Sequence, residues 1–322
     1  MNHTKVLKRA WHIVWRYRAL WVFGFILALT TGGRGSSSGR VANNWGQYST
    51  DRIPPEVVST LIAIGIGLAC LGVLLIIVAA IARYVAATAL IRMVDDHEET
   101  GQKRSVRQGF RMGWSRSAFH LFLIDLAVSL PTAVVFILLF ALALAPLLLW
   151  TTGAEAAGVI GTVITVGLFI PIILLAIVVG VMLSVLTKFF WRACVLEGLG
   201  VTEAIRQGYA LVRLNLKDVG GMWLITLGLR IGWAVAMIPV VLLLLLVSGG
   251  LGGVLALLAG GLTGLAFEGA MPWIVAGLVG IPIFFLVLVA PLSFLSGLFE
   301  VFMSSTWTLT YRELRAKAVP VA

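Results

Sequence analysis

Val106-Arg107-Gln108-Gly109-Phe110 recurs as Ile205-Arg206-Gln207-Gly208-Tyr209, 99 residues later. The same interval earlier, the chain reads Leu7-Lys8-Arg9-Ala10-Trp11, and Trp15 stands 99 residues before Trp114. Each copy leads into an apolar stretch. Self-similarity at a fixed period marks a repeated structural unit. The chain therefore reads as three tandem units, approximately 5–100, 101–200 and 201–317, within a single membrane domain over 1–322.

Composition sets the solvent. Hydrophobic residues make up 60% of the chain and charged residues 12%, against about 25% charged in soluble domains, and mean hydropathy is +1.03. The chain is an integral membrane protein, and the useful count is of apolar spans of about 20 residues. Cys70 lies in an apolar run and Cys194 in a connector, so the two define no disulfide framework. His3, His12, His97 and His120 are scattered without Cys or His partners at ligand spacing, which points away from a metal centre. The excess of 24 basic over 14 acidic residues flanks apolar spans, a pattern of membrane topology and not of a nucleic-acid groove.

Taken in order, 1–18 sets five basic residues around a stripe of Leu7, Trp11 and Val14, a segment suited to the headgroup layer. The short apolar run 19–30 follows. A basic start, a short apolar run and small residues also describe a secretory signal peptide. The same helix-then-span arrangement recurs inside the chain, where nothing is cleaved, so the expectation is that the segment stays. The stretch 31–55, rich in Gly, Ser, Asn and Asp, reads as an exposed loop. Spans are expected over 57–93, 119–150, 159–188, 219–247 and 273–310, with Pro131 and Pro146 as kinks. The acidic run Asp95-Asp96-His97-Glu98-Glu99 reads as a solvated turn. Within 202–217, Ile205, Tyr209, Val212 and Leu216 share one face, with Arg206, Arg213 and Lys217 along its flank. Seven glycines in 248–273 leave that segment open between a re-entrant, an interfacial and a loop conformation.

Twenty of the 24 Lys and Arg fall at the N-terminus, in the connectors 83–116 and 188–217, and in the tail. Arg34, Arg40 and Arg52 fall on the opposite side, and Arg230 within a span. Six helices with both termini cytoplasmic satisfy this asymmetry.

Two groups of residues stand out as candidate sites. Lys8, Arg9, Arg107, Arg111, Arg206, Arg213 and Lys217, on the three basic amphipathic segments, are candidate contacts for anionic lipid. Arg83, Asp125, Arg230 and Glu300 are charges within apolar spans, a candidate functional layer. Asp125 and Arg230 differ by about 8 Å in depth at 1.5 Å per residue, within reach of an ion pair. Gly228 and Gly232 form a GxxxG, suited to close helix contact on the face opposite Arg230. No nucleophile elbow, phosphate-binding loop or HExxH is present, so no catalytic residue, cofactor or metal ligand is assigned.

A basic amphipathic segment leading into a span that begins Leu20-Trp21, six helices, and Arg-Gln-Gly-aromatic connectors resemble bacterial six-helix families of unknown function. They are also similar to the membrane domain attached to some glycerophosphodiester phosphodiesterases. The resemblance implies a multi-pass protein of the bacterial inner membrane. The catalytic domain has no counterpart here, so the phosphodiesterase activity is not carried over. The expected fold is all-α, with six transmembrane helices as three two-helix repeats and basic segments on the cytoplasmic side. The expected function is a non-enzymatic scaffold, assembly or lipid-interacting factor, with anionic lipid and a membrane protein as candidate partners and no nucleic acid. The alternative is a small transporter or channel built on the charged layer.

Overall fold

The structure, a computed structural model, describes residues 2–31, 55–267 and 269–318. Apart from its ends, the stretch read as an exposed loop over 31–55 lies outside the described residues, with Arg34, Arg40 and Arg52. Among the described residues there is no strand. The elements are α1 (His3–Arg16), α2 (Ala19–Thr31), α3 (Pro55–Thr100), α4 (Val106–Gly113), α5 (Arg116–Leu144), a 3-10 segment (Ala145–Thr152), α6 (Glu155–Glu197), α7 (Val201–Leu214), α8 (Leu216–Gly264) and α9 (Met271–Ala318). Among the described residues five stretches are long and apolar enough to cross a membrane: Gly65–Thr100, Arg116–Thr151, Glu155–Glu197, Leu216–Gly264 and Met271–Lys317. The pair α1 and α2 also has the composition of a span, but it is bent by 100°.

The long helices run through Pro131, Pro171, Pro239, Pro282 and Pro291. Apolar helices tolerate proline where local adjustments satisfy the freed carbonyl. Of the boundaries that differ from those read in the sequence, three bear on the packing. α3 continues through Asp95–Glu99 to Thr100, so the acidic run is a helix end and not a turn. Its carboxylates have partners: Arg104 Nε–H donates to Asp96 Oδ2 at 2.7 Å, and Arg9 pairs with Glu98. The helix stops at Gly101, whose φ of 67° suits only a residue without a side chain. α6 runs to Glu197, nine residues past Lys188.

The third difference is the glycine-rich stretch, which is helical through Gly264. In isolation a helical glycine costs about 1 kcal/mol relative to alanine. Here the missing side chains admit α9. A Cβ at Gly252 would lie 3.0 Å from the Gly280 carbonyl oxygen, one at Gly260 3.0 Å from the Pro272 oxygen, and one at Gly280 2.6 Å from Ala256 Cβ. Positions 252, 256 and 260 thus form one small-residue ridge that fits 280, 276 and 272 in antiparallel order, a close crossing that larger residues exclude.

By its internal contacts the chain forms two compact units. The first comprises Met1–His3, Trp114–Trp223 and Trp307–Ala322. Its core joins Leu121 and Ile124 of α5, Phe189, Ala193 and Cys194 of α6, Ala204 of α7, Met222 of α8, and Trp307 and Leu314 of α9. The second comprises Thr4–Gly113 and Leu224–Thr306. Its core joins Val6, Ala10, Leu20 and Phe23 of α1 and α2 with Ala89, Leu90 and Met93 of α3 and Val301 of α9. Here Tyr17, at the bend between α1 and α2, accepts from the Arg104 N–H at 2.6 Å and donates to the Arg104 carbonyl at 2.9 Å. That double bond ties the bend to the connector after α3.

Each long helix divides its length in the same way. α3 is buried from Val85 to Val94 but exposed or half-buried over 69–84, and α6 is packed from Val185 to Val195 but largely exposed over 166–184. α5 is packed at Leu121 and Ile124 and largely exposed from Leu126 to Leu142. α9 is packed from Val301 to Leu314, and α8 at Val219, Met222 and Thr226. In each, the packed run lies towards one end, and most of the apolar length beyond it is exposed or half-buried.

Candidate functional site

The three short helices share one design. Ala10, Gly109 and Gly208, each 99 residues apart, are all buried, as are Val14, Gly113 and Val212 at the same interval. Their burial follows from size. A Cβ on Gly109 would lie 2.7 Å from the Phe23 ring, one on Gly113 2.9 Å from Ala89 Cβ, and one on Gly208 2.6 Å from Phe190 Cδ1. Trp11, Phe110 and Tyr209, the next residue in each case, are exposed. So are Lys8, Arg107 and Arg206, again 99 residues apart, and Arg9, Arg111, Arg213 and Lys217.

The stripe that packs is offset by one position from the apolar stripe read in the sequence and shares Val14 and Val212 with it. In α1 it is Val6, Ala10, Ile13 and Val14, while Trp11 is 56% exposed. In α7 it is Ala204, Gly208, Leu211 and Val212, while Tyr209 faces outward. Small residues let the helix axis approach, and the large aromatic is turned away.

The four intraspan charges each fall where their helix changes from packed to exposed. Asp125 stands between buried Ile124 and exposed Leu126, and Glu300 beside buried Val301. Arg83 stands two residues before the buried run of α3 and lies over the Tyr84 ring at 5.6 Å, and Arg230 follows buried Thr226 and is itself exposed. Within the first unit, Trp191 Nε1–H donates to Asp125 Oδ1 at 3.0 Å. Within the second, and among the described residues, no ion pair joins Arg83, Arg230 and Glu300. Gly228 and Gly232 are not at a helix crossing. A Cβ at either would meet nothing within 4 Å, and both line an open apolar groove.

One cation escaped the sequence reading because it fell in an assumed connector. Arg192, on α6, is only 4% exposed. Its Nε–H donates to Thr308 Oγ1 at 3.3 Å and its terminal N–H to the Lys188 carbonyl at 2.7 Å. Lys188 Nζ lies 4.5 Å from the centre of the Trp307 ring, and Glu197 accepts from Tyr311 and pairs with Arg315. The signal was present in Phe189-Phe190-Trp191-Arg192-Ala193-Cys194-Val195, a lone cation with apolar residues on both sides. Between α3 and α4, the hydrogen bonds that the Arg104 guanidinium donates to the Asp96 carboxylate hold it above its ordinary pKa. Among the described residues no three His, Cys, Asp or Glu side chains converge as metal ligands would.

The sequence matches the model of the family of unknown function DUF7544 over residues 12–309, and the chain belongs to that family. No curated protein and no solved structure matches it.

Proposed function

We propose that this family member is a non-enzymatic, multi-pass protein of the bacterial cytoplasmic membrane that works as a scaffold or assembly factor on an anionic lipid surface. In this reading it has six crossings in three tandem two-helix units, the first crossing beginning at α2, with both termini in the cytoplasm. The recurrence at positions 8, 10, 11 and 14, repeated at 107, 109, 110 and 113 and at 206, 208, 209 and 212, carries the proposal. Each short helix buries small or apolar residues, turns an aromatic outward and presents an exposed cation. A helix so built lies in the headgroup layer, and each Lys or Arg near an anionic leaflet gains about 1 kcal/mol.

The charged boundary supports the same placement. The exposed run of α5 beyond Asp125 covers about 30 Å at 1.5 Å per residue, the thickness of the hydrocarbon core. Arg83, Asp125, Arg230 and Glu300 then stand at headgroup level, where a charge needs no transport role to justify it.

The test uses the purified protein in nanodiscs of phosphatidylglycerol or phosphatidylcholine. The thermal midpoint is expected to be higher in phosphatidylglycerol by several degrees. That difference should shrink in the variant carrying Gln at Lys8, Arg9, Arg107, Arg111, Arg206, Arg213 and Lys217. An equal difference in both proteins overturns the lipid-surface role. In a cysteine-free background, Ala154→Cys should react with an impermeant thiol reagent in intact cells and Gln102→Cys should not. Labelling of Gln102→Cys without lysis overturns the orientation.

A further inference from the structure

The groove floored by Gly228 and Gly232 lies wholly within the second unit, between α1, α8 and α9, and encloses about 590 Å³. Ligand sites typically enclose about 300–1,000 Å³. Its walls are aromatic. Trp11 and Trp15 of α1 meet edge to face at 5.7 Å, and Trp233 of α8 stacks on Phe299 of α9 at 4.9 Å with 6° between the rings. No charged side chain lines it. The two glycines leave the floor open, because a Cβ at either would meet nothing within 4 Å.

What would fill it follows from the charges at its edge. The helix that forms one wall, α1, carries four basic residues and no acidic one. Lys8 and His12 lie on the same helical face as Trp11 and Trp15, at spacings of three, four and seven residues. Both are exposed, as is Arg16, which contacts His12 Nε2 at 3.4 Å. The groove also reaches from Phe302, next to the packed end of α9, along exposed residues of α8 and half-buried residues of α9. An amphiphile matching this site has an anionic head at the basic face and an apolar chain running away from it.

We propose that the groove holds one acyl chain of an anionic glycerophospholipid, with its phosphate held by Lys8 and Arg16. This rests on the membrane reading above but adds a single stoichiometric site to a diffuse surface attraction. Filling the floor by Gly232→Leu should block the chain, whereas Lys8→Gln together with Arg16→Gln should remove only the preference for headgroup.

The experiment has two readouts. Native mass spectrometry of protein released from nanodiscs of mixed phosphatidylglycerol and phosphatidylcholine should find one phosphatidylglycerol retained. Gly232→Leu should lower that occupancy about tenfold, equivalent to ~1.4 kcal/mol. Its extra stability in phosphatidylglycerol should remain, because the basic helices are intact. Photocrosslinking of the unaltered protein with a phosphatidylglycerol bearing a diazirine on its acyl chain should label Trp233 or its neighbours on α8 and α9. This second readout needs no variant to fold. Equal retention of lipid by Gly232→Leu, or label confined to other helices, overturns the site. Equal retention of phosphatidylcholine and phosphatidylglycerol overturns the anionic headgroup. A dimer that Gly232→Leu dissolves identifies a second copy of the chain as the occupant and overturns the lipid. A variant carrying Gln at Arg9, Arg107, Arg111, Arg206, Arg213 and Lys217, with Lys8 and Arg16 kept, tests the surface role alone: an undiminished phosphatidylglycerol stabilisation there overturns that role and leaves the groove untouched, so the two proposals fail separately.

Discussion

α8 carries two sets of small residues four apart, and they do opposite things. At Gly252, Ala256 and Gly260 the facing helix is α9, at distances that leave no room for a large side chain. At Gly228 and Gly232 the space is empty, although the GxxxG spacing is the better known sign of a helix contact. The difference is not in α8 but in what stands opposite. Gly280, Ala276 and Pro272 give α9 a complementary small face, whereas Phe299 and Trp233 hold the walls of the groove apart. A small-residue motif licenses close approach and becomes a contact only where the partner is small too.

The largest effect is expected where glycine faces glycine. In the second unit, Gly24 of α2 and Gly297 of α9 meet backbone to backbone. A Cβ at Gly297 would lie 2.7 Å from the Phe25 nitrogen and 2.8 Å from the Gly24 carbonyl carbon. Neither atom can rotate away. Gly297→Leu should therefore lower stability by about 3 kcal/mol, at the upper end of the cost of overpacking, read as a fall in the thermal midpoint in detergent. A midpoint unchanged by this substitution would mean that the crossing is not as close as described.

Much of this was legible in the sequence, and the exceptions have physical reasons. The three basic helices could be placed because amphipathic periodicity at 3.6 residues survives in any solvent. The apolar spans could be placed because length and hydropathy suffice. The apolar faces of α1 and α7 were read from the sequence, but not which stripe packs against the rest of the protein. Hydrophobicity ranks Trp11 and Tyr209 above Ala10 and Gly208, yet at a close crossing the small residue is the one that fits. The stretch 248–273 was left undecided because glycine's helical penalty is a property of the isolated chain, and α9 supplies the compensating contacts to the part that is helical, through Gly264. Arg192 was missed because charge was taken as the sign of a connector. The hydroxyl of Thr308 and the Lys188 carbonyl that accept from it come from positions that sequence spacing alone does not bring together.

An intermediate effect should separate the repeats from one another. Gly208→Ala places a methyl against Phe190 at Cδ1 and 3.2 Å from its backbone nitrogen, while Gly109→Ala meets the Met93 sulfur and the far edge of the Phe23 ring. Methionine is flexible and a ring edge can tilt, but a backbone atom cannot follow. Both substitutions should destabilise by about 1–2 kcal/mol, Gly208→Ala more than Gly109→Ala, in parallel denaturation series. The reverse order would show that the two equivalent glycines are buried against environments whose stiffness differs from that of the atoms nearest them.

The smallest effect has the opposite sign. Gly228→Ala and Gly232→Ala place a methyl in open space within a helix, so nothing is displaced and the unfolded chain loses freedom. Each should raise stability by about 0.5–1 kcal/mol in lipid-free detergent. The same change at Gly280, where a Cβ would lie 2.9 Å from the Gly252 oxygen, should lower it. Two identical substitutions on one helix pair would then differ in sign only because of what faces them. If Gly228→Ala and Gly232→Ala destabilise the protein in detergent, another backbone seats on these glycines after all. The groove would then be one half of an interface with a second copy of the chain, and the contrast between the two ends of α8 would disappear.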